Sequence, residues 1–193
     1  MLFGKPDPKL QGDIPPGPED APEGAIVSSD TYRENRIPSN QSRTKKWPVL
    51  DAGVQPEPNF VANWTLTLTG LVEEHVQLNW EQFQALPRTK IFADMHCVTR
   101  WSRLGNVWEG VSTRTVFEQA RVDPAAKFVQ IWAWDEPHTF YGNTAPWSTN
   151  LPLEWFLDED CLFADTHDGE PLTLEHGGPL RLVIPKLYAW KSA

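Results

Sequence analysis

Asp94, His96, Cys97, Arg100 and Arg103 place a carboxylate, an imidazole, a thiol and two guanidinium groups within one short stretch. Ile91, Ala93 and Met95 alternate with Phe92, Asp94 and His96, the period-two pattern of a strand that runs straight into Cys97. Val98 to Arg103 keeps neither a strand nor a helix period, so the thiol is expected at a strand end, followed by a turn. Positive charge nearby favours thiolate over thiol, and the thiolate is the form that attacks electrophiles or binds a soft metal. Taken alone, a free cysteine at a strand end is more often a small buried hydrophobe than a reactive thiol.

A second concentration lies at the end of the chain. His176-Gly177-Gly178-Pro179-Leu180-Arg181 reads as a glycine turn entering a buried strand, followed by a loop with Lys186, Lys191 and Ser192. A guanidinium offers a two-pronged contact to phosphate, lysine a point charge, and serine and backbone N–H groups complete a cradle. In a chain of net charge −9 the cluster is either such a cradle or a basic rim on a strand. Composition does not choose between them.

The 193 residues, 40% of them apolar, suit one domain with a substantial core and room for an arm. The acidic balance argues against nucleic acid, whose binding depends on neutralising phosphates. Cys97 and Cys161 form no Cys-x-x-Cys pair, so neither a disulfide framework nor a zinc-finger spacing is present. The first residues lack the apolar run of a signal peptide, and no stretch has the length and hydropathy of a membrane span, so the expectation is cytoplasmic. His75, His138 and His167 fall in expected turns or strand ends and read as surface histidines.

The elements that must position these groups begin after a proline-rich arm. From Lys5 to Asn59 no period holds, which sets the arm at residues 1–58 and the folded domain at 59–193, with Trp47-Pro48-Val49-Leu50 as an apolar anchor. Trp64, Leu66 and Leu68 form one face of a strand, and Val76 to Leu78 a short return. Asn79 and Gln82 form a capping box for a helix carrying Trp80, Phe83 and Leu86 until Pro87. Ser112 or Thr113 caps a second helix with Val116, Phe117 and Ala120. Lys127 to Trp134 alternates as a strand, with Phe128, Gln130, Trp132 and Trp134 on one face. Residues 135–149 read as a long irregular connection. Pro152 starts a short helix, Cys161 to Ala164 a buried strand, Asp168-Gly169 a turn, and Leu180 to Ile184 the last strand. Strands and short helices interleave without regular alternation, which gives an α+β class.

The string Asp94-x-His96-Cys97-Val98-Thr99-Arg100-Trp101, with Trp108-Glu109-Gly110-Val111 after it, resembles the molybdopterin-binding domain of the sulfite oxidase-like oxidoreductases. The likeness runs in order from about Trp47 to Ala193. It implies that family's mixed-sheet fold, a molybdenum-molybdopterin cofactor, and Cys97 as the one protein sulfur on the metal, with Arg100 beside it in catalysis and Asp94 and His96 around it. Carried over position by position, the cofactor-binding residues are Lys45, Lys46, Trp47, His96, Cys97, His176, Arg181, Lys191, Ser192 and Ala193. Family members continue with Lys-Trp after the position of Ala193, so the expected phosphate cradle extends past the last residue given. Where sulfite oxidases carry Tyr-Gly-x-Ser-Ile-Pro-Leu, this sequence has Trp147-Ser148-Thr149-Asn150-Leu151-Pro152-Leu153; sulfite as substrate therefore does not carry over.

The resemblance implies two-electron oxygen-atom transfer on a small oxyanion or sulfoxide-type substrate. A monomer is expected, without nucleic acid or membrane partners, exchanging electrons with an unidentified donor or acceptor protein. Two other classes compete. A cysteine nucleophile would need His96 as base, yet adjacent strand residues point to opposite faces. A non-catalytic module binding a partner through the arm would have no need of both thiol and basic loop. Metal analysis of the purified protein separates the three.

Overall fold

Two dipeptides of the proline-rich arm fold as strands, β1 (Ile26–Val27) and β2 (Ser42–Arg43), and both join the central sheet. The computed structural model describes residues 10, 12–49, 60–133, 138–140 and 143–193, the segments 138–140 and 143–145 as backbone alone. The expected boundary at 58/59 and Trp134 lie outside these residues. After the arm come the hairpin β3 (Thr65–Leu68) and β4 (Val76–Asn79), then helix α1 (Trp80–Gln84). Asn79 accepts from the Gln82 amide and the Gln82 side chain accepts from the Asn79 amide, so the capping box forms as read. Strands β5 (Thr89–Cys97) and β6 (Trp101–Ser112) follow, antiparallel, joined by the turn at 98–100. Ser112 caps helix α2 (Thr113–Glu118).

The second half holds β7 (Phe128–Trp132), β8 (His138–Phe140), β9 (Asn143–Ala145), β10 (Ser148–Pro152), helix α3 (Leu153–Phe156), β11 (Leu162–His167), β12 (Glu170–Pro171) and β13 (Arg181–Val183). Two expectations are corrected here. Residues 135–149, read as irregular, contain the β8–β9 hairpin and the start of β10, which pairs with β7. Residues 101–103, read as part of a loop, begin the twelve-residue β6.

In the seven-stranded mixed sheet, β5 and β6 lie side by side with β1 parallel to β5 on the outside. The other edge of β6 pairs with β11 at 108–112 and, nearer Cys97, with β2 in parallel at Trp101 and Ser102. One face carries Val111, Phe163 and Leu182 into a core with Phe83, Val116 and Phe156 from the helices. The opposite face carries Ile91, Ala93, Met95, Trp108, Leu162, Ala164 and Val183, with Trp47 and Ala189 packed on it. That division follows from alternation: paired residues share a face, and neighbours along a strand do not.

A bulge in β6 shifts the register by one residue between Ala93 and Met95. Gly105 sits there at φ +70, its amide donating to Asp94 Oδ1 at 2.9 Å, and a Cβ would lie 2.6 Å from Pro16 of the arm. Both the left-handed backbone and the close arm therefore require glycine at this position.

Candidate active site

Cys97 ends β5 and follows Ile91, Ala93 and Met95 onto the face that holds Trp108. Its side chain is buried, and the Thr99 hydroxyl lies 3.1 Å from its sulfur. The carbonyl of Cys97 accepts from the Arg100 amide at 2.9 Å, which closes the turn, and from Gln41 Nε2 of the arm at 3.0 Å. Arg100 holds φ +71, an uncommon conformation for a residue with a side chain. Its side chain is exposed and has no ion-pair partner among the described residues.

Pairing across the sheet brings Arg181, opposite Ala164, onto the same face as Cys97. Its two terminal nitrogens donate to the carbonyls of His176 (2.9 Å) and Ser192 (3.2 Å), while Nε is enclosed without a partner. The guanidinium lies 5.2 Å from the Trp47 ring centre and 5.9 Å from that of Trp108. No carboxylate pairs with it among the described residues. Burial pushes its pKa down to about 10, with the nearby Cys97 opposing, so it remains a cation at neutral pH. The indole N–H of Trp108 is likewise enclosed and unpartnered. An enclosed cation and two orphaned donors on one face are what an anionic group would satisfy.

Trp47 closes this face. Its ring lies 3.9 Å from His176, 4.5 Å from His167 and 5.2 Å from Trp108, centre to centre. Its carbonyl faces His176 Nε2 at 3.2 Å, and Thr173 Oγ1 faces Nδ1 at 3.1 Å. The His176 tautomer with its proton on Nε2 satisfies both contacts, Nε2 donating to the Trp47 carbonyl and Thr173 donating to Nδ1. The turn at Ala189–Lys191 packs beneath: Lys191 Nζ donates to the Asn150 carbonyl at 2.7 Å, Ser192 offers its carbonyl to Arg181, and the Leu182 amide donates to the Ala193 carbonyl at 2.6 Å.

Four residues singled out in the sequence stand elsewhere. His96 was expected among the cofactor residues, but alternation turns its side chain to the face opposite Cys97, where Nδ1 lies 2.9 Å from Ser102 Oγ. Burial lowers its pKa, with Asp94 and Asp30 opposing. Asp94 makes a two-pronged pair with Arg36 of the arm, at 2.8 and 2.6 Å, and is fully buried. Arg103 is engaged by Asp168 and by the Lys45 carbonyl, which leaves it unavailable to an oxyanion. Lys45 pairs with Asp13 at 2.7 Å, whereas the Lys46 side chain is exposed with no partner among the described residues.

His167, read as a surface histidine, is a wall of the site. Its ring packs at a tilt against Trp47 and Trp108, with Nε2 3.1 Å from Asn106 Oδ1 and 3.2 Å from an Arg103 nitrogen. Burial lowers its pKa to about 4 against the pull of Asp168, with Arg103 and Arg181 pushing the same way, so it is neutral at ordinary pH. No local signal marks it, because its burial depends on β11 pairing with Trp108 and on the arm. Cys161, by contrast, is deep in the helical core with its pKa raised by burial, far from a reactive thiolate.

A soft cysteine sulfur and an enclosed, unpaired cation on one face of a mixed sheet suit an anionic, metal-carrying cofactor. Comparison with known proteins agrees. The family described as "Oxidoreductase molybdopterin binding domain" matches residues 52–193. The uncharacterized oxidoreductase YuiH of Bacillus subtilis (strain 168) is 44% identical over 161 residues, covering 83% of this chain and 76% of that protein. The protein-methionine-sulfoxide reductase catalytic subunit MsrP of Gluconobacter oxydans (strain 621H) is 32% identical over 151 residues, 74% of this chain and 48% of MsrP. The chain thus spans about half the length of MsrP. In fold, the sulfane dehydrogenase SoxCD from Paracoccus pantotrophus aligns with a TM-score of 0.60 at 20% identity, over 97% of this chain and 57% of that one. The chain belongs to the oxidoreductase molybdopterin-binding domain family and is of the sulfite oxidase-like type. It is an oxidoreductase whose cofactor is molybdenum-molybdopterin.

Proposed function

We propose that this oxidoreductase reduces a sulfoxide-type substrate by two-electron oxygen-atom transfer, with Cys97 as the protein ligand to molybdenum. The observation that carries the reading is the shared sheet face of Cys97 and the unpaired Arg181, closed by Trp47. The choice of sulfoxide is supported by MsrP, which is named for methionine sulfoxide reduction. The bound cofactor supplies the redox chemistry.

The protein residues then have separable tasks. Cys97 offers a soft sulfur with a hydroxyl contact from Thr99 that tempers its charge. Arg181, with the orphaned Trp108 N–H, receives the anionic part of the cofactor, and Lys46, Lys191, Ser192 and Ala193 belong to the same cradle. Trp47 and His176 shield it, and His167 stays neutral so that it adds no further repulsion to Arg181. Arg100, exposed on the turn after the ligand, presents a cation toward a polarised S–O oxygen. Conversion of a sulfoxide to a sulfide consumes two electrons and two protons and releases water; we assign the electrons to a separate donor protein.

The test is turnover by metal-loaded protein with reduced viologen as donor. Reduction of free or peptide methionine sulfoxide, faster than of nitrate, supports the proposal. Full molybdenum loading with nitrate but no sulfoxide turnover, or with sulfite oxidation by ferricyanide alone, removes it.

A further inference from the structure

We propose that Gln41, on the N-terminal arm, is a positioning residue for the Cys97 sulfur. This rests on Cys97 being the metal ligand. The arm lies outside the residues that match the family, 52–193. Three contacts bind it to the turn that carries the sulfur: Gln41 Nε2 donates to the Cys97 carbonyl at 3.0 Å, the Ser42 amide to the Arg100 carbonyl at 3.1 Å, and the Thr44 amide to the Ser102 carbonyl at 2.8 Å.

Behind Gln41 runs a polar chain with a defined direction. Ser102 Oγ donates to Gln41 Oε1 at 2.5 Å, so its oxygen is left to accept from His96 Nδ1 at 2.9 Å. This fixes the side-chain amide of Gln41 with its N–H₂ toward Cys97 and not its oxygen, because both ends of the amide are specified. The turn needs such support. Arg100 at φ +71 is a conformation that a residue with a Cβ holds only when its surroundings over-determine it. The strand on the near side of Cys97 is fixed by its sheet partners; the far side is fixed by the arm.

The experiment compares Gln41→Met, Ser102→Ala and the double variant, with Arg36→Met as a control for arm docking. In cofactor-free protein, the rate at which iodoacetamide alkylates Cys97 at one fixed pH reads how firmly the sulfur is held. Gln41→Met is expected to raise it about tenfold, Ser102→Ala less, and the double variant no more than Gln41→Met alone, because both act through one amide. In loaded protein, Gln41→Met is expected to keep molybdenum content while shifting the sulfur-to-molybdenum charge-transfer band. Arg36→Met is expected to lower the melting temperature without moving the band.

A lowered melting temperature in Gln41→Met with unchanged alkylation and an unchanged band would overturn the positioning role and leave a packing contact. Additive effects in the double variant would overturn the relay through Ser102. Failure of the ligand reading is seen separately, as an unchanged molybdenum spectrum in Cys97→Ser.

Discussion

Replacing Arg181 by methionine should empty the cofactor site while leaving the empty protein about as stable as before. The buried guanidinium has its pKa pushed down to about 10, which costs the charged form about 3 kcal/mol relative to water. Its two contacts to the carbonyls of His176 and Ser192 return roughly 1 kcal/mol each. Methionine keeps most of the apolar stem while losing the charge, so the opposing contributions leave the variant within about 1 kcal/mol of the parent. A charge-assisted contact to phosphate contributes roughly 1.5 to 3 kcal/mol, so retention of the cofactor should fall about ten- to a hundredfold. Arg181→Lys should recover only part, keeping the charge but losing the planar fork. Molybdenum content after gel filtration, set beside melting of the cofactor-free form, decides the matter. Normal content with a markedly earlier melt would show that Arg181 serves the last strand and not an anion.

Cys97→Ser should abolish activity and alter the molybdenum spectrum while the fold persists, whereas Cys161→Ser should leave the metal untouched; X-ray absorption of both variants checks this. Arg36→Met should cost about 3 to 5 kcal/mol in urea unfolding, since it strands the buried Asp94 charge, and adding Asp94→Asn should recover part of the loss. Acid should weaken the fold through His167. Its pKa falls from 6.5 to about 4 on folding, so the unfolded chain takes up the proton first, and stability drops as pH falls from about 7 toward 4. Between pH 7 and pH 5 this site accounts for about 2 kcal/mol, and urea titrations of His167→Gln should show the pH difference reduced by about that amount.

What could be read in advance was what neighbouring residues encode. Strand β5 announces itself because Ile91, Ala93 and Met95 are apolar and alternate, and α1 because Asn79 and Gln82 sit three apart. Strand β6 alternates just as regularly in burial, but its inward positions include Ser102, Asn106 and Gly110, so no apolar period marks it. Its inward polar groups are satisfied by distant partners: Ser102 by Gln41, and Asn106 by the Ala93 carbonyl and His167. The same holds for the site. Cys97 and Arg181 were legible from their motifs, whereas the turning away of His96 and the burial of His167 are set by strand pairing and by an arm whose proline-rich composition suggested no pairing. The β8–β9 hairpin was missed because residues 135–149 show turn residues throughout and no period.

The arm makes its key contacts across long stretches of chain. Gln41 reaches Cys97 over 56 residues, Arg36 reaches Asp94 over 58, and the Ser28 hydroxyl reaches Asp160 over 132. Contacts of such separation form late in folding, after the entropy of closing large loops has been met. During synthesis, Arg36 and Gln41 must therefore wait for β5 before they can dock, and Ser28 must wait for Asp160. Two-residue strands set among prolines suit that interval, since they offer little edge for a wrong partner. The Cys97 carbonyl is consequently met by Gln41 only after β5 and β6 have paired, so the turn that follows the sulfur is completed from the arm after the central strands are in place.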